Sequence, residues 1–384
     1  MEIKSYSMNW HYPTGIRVGA GRISELPKAC RQLGMTSPLL VTDPGLAALP
    51  MVEAALQLCR NAGLQVGLFS GVKGNPTGGN VTDGVAARKA GQHDGVIAFG
   101  GGSAIDAAKA IALVAHQECT LWDAGPGTVD ASKMLPVVAV PTTAGTGSEV
   151  GQAVVITDDE SHVKRVIFHQ KMVPAIVILD PELTVGLPAK LTAATGMDAL
   201  AHNVEAFCAP VYHPMAEGIA LEGMRLVKDF LPRATKQGDD IDARLQMQVA
   251  SSMGAVAFQR GLGGIHAVSH SLGAVYDAHH GLLNAIVMPY MLQANRPVIE
   301  DEMARAARYL DLPKQNFDGM LDWILDLRSE LGIPHTLAEI NIDDAQAETI
   351  GAMSAKDVAG KTNPQRYDAA QYQAIFLKAL RGEL

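Results

Sequence analysis

A chain of 384 residues with 48% hydrophobic side chains is long enough to bury two cores rather than one. Its 31 Lys and Arg against 40 Asp and Glu leave a net charge of −9, which excludes a surface built for nucleic acid or an anionic membrane. No apolar run reaches transmembrane length, the start MEIKSYSMNWHYPTG lacks the pattern of a signal peptide, and Cys30, Cys59, Cys119 and Cys208 form no CxxC pair. These features predict a cytoplasmic protein with reduced, mostly buried thiols.

In the first half, short runs rich in Val, Ile and Leu at 38–42, 64–69, 95–100 and 136–141 read as strands. Helix-period segments at 23–34, 46–62, 80–92 and 104–116 lie between them. That alternation predicts a parallel sheet covered on both faces, which takes ligands at the carboxyl ends of its strands. Three strand ends carry suggestive side chains. Asp43 follows the first run, where a carboxylate can accept hydrogen bonds from an adenosine ribose; Asp-Pro-Gly is also an ordinary turn. Gly100, Gly101 and Gly102 let backbone N–H groups approach a pyrophosphate, and Ser103 opens a helix whose positive end favours anions. Asp106 and Lys109, further along that helix, either fix the loop or are solvated charges. In PTTAGTGSEV, Thr142, Thr143, Thr146 and Ser148 supply hydroxyls, with Gly145 and Gly147 keeping the loop close to its ligand. The loop from Lys73 through Asn75 to Thr77 belongs to the same rim.

ILDPELTVGLP reads as a last strand and a hinge, so the chain divides into residues 1–184 and 185–384. Beyond it, 188–207, 212–231, 241–260, 264–276, 283–294, 299–310, 315–331 and 366–381 have helical periodicity, which predicts an all-helical second domain. Methionines 247, 253, 288 and 291 read as core filler. Asp198 and His202 stand four apart, on one face of a helix. The segment from Gly261 to Tyr290 adds His266, His270, His279 and His280 in small, apolar surroundings without Lys or Arg. A single buried histidine usually just hydrogen-bonds in a core. Five of them with an aspartate in two helical segments predict a site for a divalent first-row metal such as iron, zinc or manganese. Glu205, a turn past His202, either orients that ligand or is solvated.

Taken together, GGGSAIDAAK, PTTAGTGSE, ILDPELTVGLP, GMDALAHNVEAF and GGIHAVSHSLG with HHGLLNAIVMP resemble the iron-containing (group III) alcohol dehydrogenases, from about Tyr12 to Pro364. The resemblance implies a Rossmann-like α/β domain that binds NAD, an all-α metal-binding domain and an active site in the cleft between them. It implies metal ligands Asp198, His202, His266 and His280, and a non-ligand active-site histidine at His270. It implies an NAD site lined by Asp43, Asn75, Gly101, Gly102, Ser103, Thr142, Thr143, Thr146 and Leu183. Phe258 falls where the family has an aromatic near the substrate, and Ala153 where some members have a polar contact. His279 replaces a frequent proline and would compete with His280 or support it.

The expected reaction is reversible hydride transfer between a neutral primary alcohol or diol and NAD, helped by Fe2+ or by Zn2+, with His270 relaying the proton. A homodimer or larger assembly is the family expectation. Two competing readings are a dehydroquinate synthase-like lyase, which wants basic side chains around its metal, and a non-catalytic sensor of NAD or metal.

Overall fold

The computed structural model describes residues 12, 14–125, 127–161 and 163–384. By its internal contacts the chain divides into two compact units. One holds residues 13–187 together with 238–248; the other holds 188–237 and 249–384 along with Tyr12.

The first unit is built on a six-stranded sheet in the order β1-β8-β5-β4-β2-β3. Its strands are β1 (Gly15–Val18), β2 (Pro38–Val41), β3 (Gly67–Phe69), β4 (Gly95–Gly100), β5 (Val137–Pro141) and β8 (Ile176–Leu179). All five pairings are parallel. The helices of this unit are α1 (Leu26–Gln32), α2 (Pro44–Ala47), α3 (Pro50–Asn61), α4 (Gly78–Ala90) and α5 (Gly102–Val114). Every residue of β2, β4 and β5 is buried, as befits central parallel strands that read as continuous apolar runs. Ala104, Ala107, Ala108, Ala110 and Ala112 are buried along α5, and their small side chains let that helix lie close on β4.

Several boundaries differ from the sequence reading. The expected helix at 46–62 is two helices, because Pro44 and Pro50 each restart the chain at a first helical turn. β1 was not expected; four residues with no alternation give little signal. Nor was the antiparallel hairpin of β6 (Ala153–Thr157) and β7 (Lys164–Phe168), although Val154 and Ile156 alternate with half-buried neighbours.

The second unit is helical: α6 (Ala189–Cys208), α7 (Pro214–Lys236), α8 (Ile241–Ala257), α9 (Gly264–Tyr276), α10 (His280–Tyr309), α11 (Phe317–Glu330), α12 (Ala347–Lys356) and α13 (Ala369–Arg381). The first turns of α8 belong to the other unit. From Thr192 onward α6 is buried at every position but Thr195, with α7 and α10 packed along it. Helices expected at 283–294 and 299–310 are the single helix α10, which runs through Pro289 and Pro297. α12 was not expected at all. Among the described residues no helix is long and apolar enough to cross a membrane.

Candidate metal centre and nucleotide rim

Three helices deliver the metal-site side chains. The i, i+4, i+7 spacing of α6 sets Asp198, His202 and Glu205 on one face. α9 brings His266 and His270, and the first turns of α10 bring His280 and Asn284. Asp198 Oδ1 lies 3.9 Å from His202 Nε2, 3.7 Å from His266 Nε2 and 3.6 Å from His280 Nε2. Asp198, His202 and His266 are buried, and their donor atoms lie within 4.8 Å of one another. The rings of His202 and His266 stack at 4.6 Å, and the Phe258 ring lies 5.3 Å from that of His202. All four expected ligands therefore meet in one place, with Phe258 beside them.

The electrostatics favour a positive charge there. Burial works against ionisation of Asp198, yet His202, His280 and His266 facing it hold its carboxyl far below the usual carboxylate range. Burial alone would lower the His266 imidazole, but the carboxylates of Glu205 and Asp198 push it up to about 9. A site that draws a proton onto an imidazole between two carboxylates will also draw a cation.

Glu205 corrects the sequence reading. It is 6% exposed, and its partner is His266 rather than His202. Its Oε2 lies 2.6 Å from His266 Nδ1, and its Oε1 accepts the Ile265 N–H at 2.6 Å at the start of α9. Asn363 Oδ1 accepts the adjacent Gly264 N–H at 2.9 Å. The Nδ1 contact turns His266 Nε2 toward Asp198. His279 caps α10, its Nδ1 accepting the Leu282 N–H at 3.4 Å. His270 stacks on His280 at 5.3 Å, and its Nδ1 lies 3.1 Å from Asp357 Oδ2. Asp357 escaped the sequence reading, being 87 residues from its partner with no motif to mark it. Asn284 escaped it too, although it stands one turn past His280.

The residues fit a divalent cation. Three imidazole nitrogens and one carboxylate oxygen, without sulfur, suit a first-row metal. Atoms about 2.1 Å from a tetrahedral centre stand roughly 3.4 Å apart, and the separations from Asp198 Oδ1 are 3.6–3.9 Å. Asn284 Oδ1 is buried beside them without a hydrogen-bond donor among the described residues.

In the α/β unit, the expected nucleotide residues line the carboxyl ends of adjoining strands. Asp43 follows β2, where its Oδ1 accepts the Leu46 N–H at 2.9 Å and caps α2. Gly101 and Gly102 follow β4, and Thr142, Thr143 and Thr146 follow β5. The register pairs Gly100 with Pro141, which sets the glycine turn and the hydroxyl loop side by side. A Cβ on Gly102 would come within 2.5 Å of Thr146 Cγ2, so only glycine permits that approach. Ser103 Oγ donates to the Gly74 carbonyl, tying the loop that holds Asn75 to the start of α5. Leu183, in the turn after β8, is buried. Ala153 opens β6.

Lys109 settles the choice left open by its spacing. It is fully buried and donates to the carbonyls of Ser148 at 2.9 Å, Gly151 at 2.9 Å and Ala153 at 2.7 Å. Asp106 accepts from Ser148 Oγ and, at 2.8 Å, from Val155 N–H. Both charges fix the segment that runs from the hydroxyl loop into β6.

A covered parallel sheet with an anion-receptive rim, followed by a helical unit with three imidazoles and a carboxylate in contact, defines a metal-dependent, nucleotide-using enzyme. Family models agree: "Iron-containing alcohol dehydrogenase" matches residues 13–181, and "Fe-containing alcohol dehydrogenase family, C-terminal" matches residues 192–380. The chain belongs to the iron-containing alcohol dehydrogenase family. It is 39% identical to the 4-hydroxybutyrate dehydrogenase of Cupriavidus necator, over 96% of this chain and 99% of that one. It is 35% identical to the NAD-dependent methanol dehydrogenase of Bacillus methanolicus, over 97% and 100%. A crystal structure of 1,3-propanediol oxidoreductase superposes with a TM-score of 0.93 at 34% identity, over 98% and 100%.

Proposed function

We propose that the chain is an NAD-dependent dehydrogenase that interconverts a small primary alcohol or diol with its aldehyde, with a divalent metal held by Asp198, His202, His266 and His280. The observation that carries this is the convergence of those four side chains, His280 partly buried and the other three buried, with the His266 imidazole oriented by a carboxylate. When bound, the cation supplies Lewis acidity at the substrate oxygen and the nicotinamide accepts or returns a hydride. The chain's own residues do the rest. Gly101, Gly102 and Ser103 offer the pyrophosphate a helix N-terminus, and Asp43 suits a ribose hydroxyl better than a 2′-phosphate. Asp357 holds His270 Nδ1, which leaves Nε2 free to pass the alcohol proton toward water. Phe258 gives the substrate an apolar neighbour beside His202.

Iron is the metal the family suggests, and zinc suits the same donors. The segment from Gly261 to Asn295 has no Lys or Arg, which favours a neutral substrate over a carboxylated or phosphorylated one and speaks against a synthase-like lyase. Four free cysteines accord with a reducing cytoplasm. A homo-oligomer is the expected assembly, which light scattering measures directly. The deciding experiment combines metal analysis of fresh protein with a panel of methanol, 1,3-propanediol, longer alcohols and 4-hydroxybutyrate, followed by absorbance of the reduced cofactor. Formation of reduced NAD with the neutral alcohols is expected. Bound NAD with no turnover of any alcohol or aldehyde would make the chain a sensor instead.

A further inference from the structure

Asn284 is fully buried, and its terminal amide lies against the donor cluster. Its Nδ2 is 2.7 Å from Asp198 Oδ1, 3.2 Å from His266 Nε2 and 3.1 Å from His280 Nε2. One NH2 group thus touches three of the four candidate ligand atoms, while the other end of the same amide, Oδ1, has no donor among the described residues. A buried carbonyl without a donor is costly and calls for an explanation.

The two ends of a carboxamide are nearly the same size, and rotation about the Cβ–Cγ bond exchanges them within one volume. Facing the Asp198 carboxylate oxygen at 2.7 Å, the NH2 end is the favourable one. Facing a cation held by that carboxylate and the imidazoles, the NH2 dipole points the wrong way and the carbonyl oxygen the right way. The exchange sacrifices no hydrogen bond made by Oδ1, since it makes none.

Resting on the metal-site reading above, we propose that Asn284 is a fifth, uncharged member of the metal centre: its NH2 end links Asp198, His266 and His280, and its carbonyl turns toward the cation when one binds. The amide therefore tunes how tightly the cation is held without adding negative charge.

The test uses the full chain stripped with a chelator and reloaded. Zinc affinity is read by competition with a chromogenic chelator, and ligand number by the visible spectrum of the Co2+ form. Asn284→Leu and Asn284→Ala remove both amide ends and should weaken zinc binding by about 10- to 100-fold, with an altered Co2+ spectrum. Asn284→Asp keeps an oxygen and loses the donor. It should retain zinc binding but lower the melting temperature of the stripped protein, because two carboxylates then face each other. Unchanged affinity and spectrum in the Leu and Ala variants would overturn the inference, as would an Asp variant that binds as weakly as they do. If Asn284→Leu does not fold, the Ala and Asp variants still decide. Wild-type protein that takes up neither metal would instead sink the metal-site reading itself.

Discussion

Lys109 is a fully buried cation held by three carbonyl oxygens. Burial pulls its amine down to about 8, against the charges of Asp106 and Glu149, which favour the protonated form. Replacing it by Met leaves those carbonyls and Asp106 uncompensated, and urea unfolding at neutral pH should show a loss of about 3–5 kcal/mol. The pH dependence has a definite sign. Between about 8 and the ordinary 10.5 of a free lysine, the unfolded chain holds the proton that the folded chain has released. Stability therefore rises with pH across that window in the wild type, and the rise should be missing from Lys109→Met. His270 calls for a different measurement. If it relays the alcohol proton, His270→Ala should cut kcat by about 10²- to 10⁴-fold while leaving metal content intact. Asp357→Asn, which keeps the size but weakens the hold on Nδ1, should fall between. An unaltered rate in His270→Ala would remove the relay.

At the scale of elements, the metal centre depends on how closely α10 approaches α6. A Cβ on Gly281 would stand 2.4 Å from the Ala194 carbonyl oxygen and 3.2 Å from Asp198 Cβ, so the helices meet there only because glycine is present. Gly281→Ala should force the start of α10 outward and carry His280 away from Asp198. A metal affinity at least about 10-fold lower, by chelator competition, is the expected result. Gly254 plays the same part for α8, where a Cβ would stand 2.9 Å from His202 Cβ. Arg260 secures the other end of α6, donating to the carbonyls of Phe207, Ala209 and Val211 at 2.7–2.8 Å and so anchoring the turn that holds Phe258. Helix α10 shows where periodicity misleads. Pro297 reads as a break, yet it sits on the exposed side of a helix whose opposite side is clamped by buried Ile299 and Met303. Tertiary packing outweighed the local cost of proline.

At the scale of the whole molecule, the candidate donors come from three helices in separated stretches of chain, so an ion held by them would act on stability as well as activity. Stripping with a chelator should lower the melting temperature, and iron or zinc should restore it. At a hundredfold excess of free metal over Kd the recovered stability is about 2.7 kcal/mol. An unchanged melting temperature on stripping would mean that the donors are held by the protein alone. NAD should add its own, separate increment in the same experiment.

Local spacing was sufficient for whatever depends on neighbours in sequence. The alternation of apolar strands and helices, the glycine turn at 100–102, the i, i+4 pair Asp198 and His202, and α9 from residue 264 to 276 were all legible, because each is set by backbone periodicity within a few turns. The order of the strands, the Gly100–Pro141 register, the burial of Lys109 and the assignment of Glu205 to His266 were not. Those depend on which distant segments come into contact: Glu205 and His266 are 61 residues apart, and His270 and Asp357 are 87 apart. A carboxylate reads the same in sequence whether it faces water or an imidazole, and only packing of the folded chain decides which.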